Sequence, residues 1–163
     1  MIRVGIVTAS DKGSRGERID QSGAVIRDMV RSINGQVVQY EVIPDDKEII
    51  SETLVRFVDQ EKLDLIFTTG GTGLGPRDVT PDATLEVIDK VVPGIAEVMR
   101  MESLKKTKRA MLSRAVAGVR NRSLIINLPG SPKAVLECLE VILPALPHGI
   151  EILKGEAGEC ARQ

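Results

Sequence analysis

Ile2 to Ala9 reads IRVGIVTA, β-branched and almost continuously apolar, and no other stretch restricts the fold so tightly. A strand with one solvated face alternates apolar and polar side chains. A strand without that alternation is buried on both faces, as in a parallel sheet covered by helices. Leu63 to Thr69 (LDLIFTT) and Ser123 to Leu128 (SLIINL) repeat the pattern, and Gln36 to Ile43 reads as a further strand. Helical spacing fills the gaps. Ala24, Val25, Met29, Val30 and Ile33 mark a helix over Gln21 to Ile33, with Asn34-Gly35 as its stop. Pro44-Asp45-Asp46 opens an amphipathic helix carrying Ile49, Ile50, Leu54 and Phe57. Thr80-Pro81 resembles an N-cap ahead of a first-position proline, which predicts a helix from Asp82 to Val91. Another is expected from Ile95 to about Lys106, and Val135, Leu136, Leu139 and Ile142 mark a last one. Leu112 to Val119 fits a short strand or an edge segment equally well. Alternation of this kind implies an α/β fold: a three-layer α/β/α sandwich with a mostly parallel central sheet, in a single domain. The 163 residues suffice for one core.

Charge and cysteine usage then exclude several classes of function. With 22 Lys and Arg against 23 Asp and Glu, scattered along the chain, no nucleic-acid partner is expected. The run Lys105, Lys106, Lys108 and Arg109 reads as a solvated helix end. The N-terminal apolar run is too short for a secretory segment, and nothing approaches the roughly 18 apolar residues that span a bilayer. A cytoplasmic protein with no membrane partner is the expectation. Cys138 and Cys160, with no C-x-x-C and a single histidine in the chain, read as unpaired thiols. His148, between Pro147 and Gly149, reads as a turn residue.

In parallel α/β sheets, ligands bind beyond the carboxyl ends of the strands, and three unusual loops each follow a strand here. They are SDKGSRG after the first, TTGGTGLGPRD after the third and NLPGSPK after the last. Gly70, Gly71, Gly73 and Gly75 allow backbone N–H groups to surround an anion, and Thr68, Thr69 and Thr72 add hydroxyls. Tight turning alone also accounts for the glycines. Gly70 and Gly75 have the glycine spacing of a phosphate loop, but Pro76-Arg77 stands where that loop carries Lys-Ser/Thr, so an ordinary P-loop is not supported. G-x-G-x-x-G is not satisfied either. Asp82 suits the positive end of a helix, whereas Asp78 has no evident local duty. Asp45, three residues before Glu48, fits a capping box, or else meets Asp78 across adjacent strand ends to hold Mg²⁺. In the last loop, Ser131 is placed as an N-cap and Pro132 as the first helical residue. Lys133 opposes the helix dipole there, which an anionic ligand would explain.

Taken together, SDKGSRGERIDQSG, VIPDD, TTGGTG with RDVTPDAT, LSR and INLPGSPK resemble the molybdopterin adenylyltransferase family of molybdenum cofactor biosynthesis, the MogA-like proteins, over nearly the full length and in order. The resemblance implies a homotrimer that binds molybdopterin and ATP and, with Mg²⁺, adenylylates the pterin phosphate and releases pyrophosphate. It implies Asp45 and Asp78 as the catalytic and metal-holding acidic pair, and Thr69, Gly70, Gly71, Thr72 and Gly73 as the phosphate loop. Ser113, Gly130, Ser131 and Lys133 would contact substrate. Molybdate insertion would fall to a separate partner protein. The related MoaB-like proteins share the fold and the glycine loop, so a non-catalytic molybdopterin carrier is the alternative.

Overall fold

In the computed structural model, which describes residues 1–158, the apolar run Ile2–Ala9 forms β1 and pairs in parallel with two neighbours. One neighbour is the edge strand β2 (Gly35–Ile43), and the other is β3 (Leu65–Thr69), which in turn pairs in parallel with β6 (Ser123–Leu128). The short strands β4 (Lys90–Val91) and β5 (Ala117–Arg120) add antiparallel to complete the order β2-β1-β3-β6-β5-β4. The mostly parallel sheet expected from the apolar runs is therefore present.

Helices cover both faces. On one, α2 (Gln21–Met29), α5 (Pro93–Leu104), α6 (Pro132–Ile142) and α7 (Leu146–Lys154) bury Ile26, Met99, Leu139 and Ile150 against Ile6, Phe67 and Ile126. On the other, α3 (Lys47–Asp59) and α4 (Thr80–Val87) bury Leu54, Phe57 and Val87 against Val7, Ile66 and Ile125. Neighbouring residues of each strand feed opposite cores, because successive side chains point to opposite faces. That is why the strands lack alternation.

Several boundaries differ from the sequence reading. The helix expected over Asp82 to Val91 ends at Val87, because Ile88 turns extended (φ −80, ψ 148) and the Asp89 amide donates to the Val119 carbonyl at 2.7 Å. Leu112 to Val119 divides between a 3-10 turn, Lys108–Leu112, and β5. The last turn of the Gln21 to Ile33 pattern is 3-10, closed by Asn34 at φ 57. A one-turn helix, α1 (Asp11–Ser14), interrupts the first loop under a Ser10 cap. His148 lies within α7 rather than in a turn, since Pro147 is tolerated at the start of a helix. Cys138 is buried and free in α6, and Cys160 lies outside the described residues.

At the edge where the parallel strands begin, nearly buried Asp64 accepts from the Arg3 amide at 2.7 Å and pairs with Lys154 at 3.1 Å. This ties the start of β1 to the end of α7. Among the described residues, no helix is long and apolar enough to cross a membrane.

Candidate functional site

At the opposite edge, where the strands end, the loops after β1, β3 and β6 meet around a cavity of about 910 Å³. Of the residues singled out from sequence, Asp45, Thr69, Gly70, Gly71, Asp78, Gly130 and Ser131 line it. Thr72, Gly73 and Ser113 do not. They line a second, mainly apolar cavity of about 300 Å³ between the glycine loop, α5 and α6. Lys133 is exposed in the first turn of α6 and borders neither.

The loop turns as its glycines permit. Gly70 and Gly71 have φ +91 and +67, and a Cβ on Gly70 would meet the Ala9 carbonyl oxygen at 2.4 Å. Gly130 is different, for a Cβ there would lie 3.6 Å from Gly70 Cα, an ordinary contact. Thr69 donates to the Pro129 carbonyl at 2.6 Å and Ser22 to the Gly130 carbonyl at 2.7 Å, so the three loops are stitched to one another. Ser131 caps α6 as the sequence predicts, accepting from the Ala134 amide.

Asp45 is not the helix cap. That duty falls to Asp46, which accepts from the Ile49 amide at 3.0 Å. Asp45 instead exchanges bonds with Asp11: its Oδ2 accepts from the Asp11 amide, and its own amide donates to Asp11 Oδ1, both at 3.0 Å. Arg77 then donates to both Asp11 oxygens, at 2.9 and 3.1 Å, and holds the Asp11 carboxyl below the usual carboxylate range. Burial pushes the Asp45 carboxyl up, the bond from Asp11 pulls it back, and the charges of Asp11 and Asp78 push it up again. Asp78 does have a local duty, since its Oδ2 accepts from the Gly75 amide at 2.9 Å while its amide donates to the Gly75 carbonyl at 3.0 Å. Its Oδ1, like Asp45 Oδ1, accepts no bond among the described residues. Two half-used carboxylates on one cavity suit a hard divalent cation completed by phosphate oxygens, and the described residues contain no fuller carboxylate, His or Cys cluster.

The family model described as a probable molybdopterin binding domain matches residues 5–148. The chain belongs to that family. This molybdopterin-binding-domain chain is 44% identical over 156 residues to the molybdopterin adenylyltransferase of Helicobacter pylori, covering 94% of this chain and 89% of the relative. To the Escherichia coli molybdopterin adenylyltransferase it is 39% identical, covering 98% and 89% respectively. Among solved structures, the molybdopterin biosynthesis enzyme MoaB of Thermus thermophilus superimposes with a TM-score of 0.90 at 54% identity, covering 95% of this chain and 98% of that one. The family and the fold expected from the motifs are both borne out.

Two residues of this domain escaped the sequence reading, and a third was misassigned. Arg114 laces the glycine loop, donating to the Gly73 carbonyl at 2.9 Å, the Asp78 carbonyl at 2.6 Å and both oxygens of Asp82. Its position inside LSR was the available signal. Asp20, on the cavity wall, accepts from Thr8 at 2.6 Å, from the Gly23 amide at 3.0 Å and from Tyr40. Burial and Asp20 together push the Tyr40 hydroxyl up to about 12. Thr80, read as an N-cap, lies inside α4 and caps nothing.

Proposed function

We propose that this chain transfers the adenylyl group of ATP to the terminal phosphate of molybdopterin. A phosphate oxygen of the pterin attacks the α-phosphorus, the bond from that phosphorus to the bridging oxygen breaks, and pyrophosphate leaves. The observation that carries the reading is that the loops after β1, β3 and β6 and the Asp45 and Asp78 carboxylates border one cavity, in a chain whose close relatives bear the adenylyltransferase name.

Catalysis here is alignment and charge neutralisation. Gly70 and Gly71 offer backbone donors to phosphate oxygens, Thr69 gives its hydroxyl proton to the Pro129 carbonyl and so holds the loop in place, and Gly130 and Ser131 close the cavity from the other side. Thr72, Gly73 and Ser113, on the adjoining apolar cavity, would receive the pterin end, and Lys133, exposed two residues past Ser131, would swing inward to meet the phosphates. Among the described residues, the cavity wall carries Glu17, Asp20, Asp45 and Asp78 against Arg18 alone, so a triphosphate needs a cation to enter. Mg²⁺ would be held by Asp45 and Asp78 and would supply that neutralisation. By the same resemblance the chain is a homotrimer, and its product passes to a separate molybdate-inserting protein.

Pyrophosphate release from MgATP by the purified protein, with and without molybdopterin, tests the reading. Release is expected only with both substrates, and Asp78→Asn is expected to slow it by orders of magnitude while molybdopterin still binds. Molybdopterin binding without any release would return the chain to the carrier role, which the relatives named as adenylyltransferases do not favour.

A further inference from the structure

The buried hydroxyls at the start of α4 differ in one respect. Thr84 donates to the Thr80 carbonyl at 2.9 Å and accepts from Asn127 at 2.9 Å, and Asn127 also donates to Thr68 at 2.9 Å. Thr80 is equally buried, at 0% exposure, yet its Oγ1 has no hydrogen-bond partner among the described residues. A hydroxyl removed from water with nothing in return is a cost that a fold keeps only for a reason.

The surroundings of that hydroxyl supply the reason. A Cβ on Gly71 would stand 2.5 Å from Thr80 Oγ1 and 3.3 Å from Asp45 Oδ1, so both oxygens flank the same bare α-carbon, which on its other side borders the cavity. Asp45 Oδ1 is itself without a partner among the described residues, and Asp78 lies within electrostatic reach of Asp45. Phosphate loops place a Ser or Thr hydroxyl on Mg²⁺ immediately after the loop lysine. Here Pro76-Arg77 occupies those positions, and no hydroxyl follows until the first turn of α4.

We propose that Thr80 is a cation-binding residue, its hydroxyl oxygen joining Asp45 beside Gly71 to hold a divalent cation. The assignment rests on the Mg²⁺-dependent reading of the site. A side chain at position 71 would press on the Thr80 hydroxyl, a constraint on that position beyond the positive φ.

The test uses Mn²⁺ as the probe, titrated into the full chain with and without a non-hydrolysable ATP analogue and read by electron paramagnetic resonance, alongside thermal melts. Thr80→Val keeps the shape and removes the hydroxyl. It is expected to weaken Mn²⁺ binding tenfold or more while the melting midpoint holds or rises, because an unmet buried polar group has gone. Thr80→Ser is expected to retain wild-type affinity within about twofold. Should the valine variant fail to fold, Thr80→Ala carries the same expectation. Wild-type Mn²⁺ affinity in the folded variant overturns the assignment of Thr80 and leaves the adenylyl-transfer reading standing. Failure of the wild type to bind Mn²⁺, with or without the analogue, overturns both.

Discussion

Asp45 shows how fine the resolution of a sequence is at a single position. Two adjacent aspartates precede α3, and the three-residue spacing to Glu48 singles out Asp45 as the cap. The backbone gives the cap to Asp46 and frees Asp45 to face the cavity, a choice set by the approach of Asp11 from another loop, which local pattern cannot contain. The consequence for stability has a definite sign. Folding raises the Asp45 pKa, so Asp45 costs the fold nothing below its unfolded-state pKa and progressively more as pH rises through its folded-state value. Asp45→Asn keeps an acceptor for the Asp11 amide and is expected to raise the melting midpoint at neutral and alkaline pH. The gap to wild type should close as pH falls into the carboxylate range, about pH 4. Melts across that interval check it, and a gap that does not change with pH would mean the charge is not its source.

At the scale of loops, helices and strands, long periodic segments were legible and short or composite ones were not. The pattern that carried α4 on to Val91 is genuinely apolar, but Ile88 is extended and Lys90–Val91 pairs with β5, a contact made by residues about 30 positions away. Propensity does not report such pairing. The glycine loop was legible as a ligand loop, while Arg114, which fastens it, is fixed by tertiary contacts alone. The two glycine loops also differ in a way that composition hides. Gly70→Ala sets a Cβ against a backbone oxygen at φ +91 and is expected to cost about 2–3 kcal/mol of stability. Gly130→Ala meets only an ordinary contact and should stay within about 0.5 kcal/mol. Urea denaturation of the two variants distinguishes them. Equal small losses would show that the loop after β3 relaxes around a side chain, and any loss of turnover in Gly130→Ala would then report ligand contact rather than folding.

At the scale of the whole molecule, the apolar runs were enough to anticipate a parallel sheet with its ligand site at one edge, because strand burial and the position of βα loops follow from topology. How copies assemble is not written in that pattern. Met101 on α5 and Met111 and Leu112 on the following turn are 65%, 62% and 50% exposed, apolar surface of the kind an interface covers. Sedimentation equilibrium is expected to return a mass near three copies of the 17.7 kDa chain, and a monomer at micromolar concentration would remove the trimer from the reading. Asp64, which joins the start of β1 to the end of α7, has a consequence for how the molecule connects to others. The start of β1 and the end of α7 at Lys154 both lie on the side away from the cavity, separated from it by the length of β1, roughly 25 Å. A tag joined ahead of Met1 therefore starts behind the sheet, a strand's length from the mouth of the cavity.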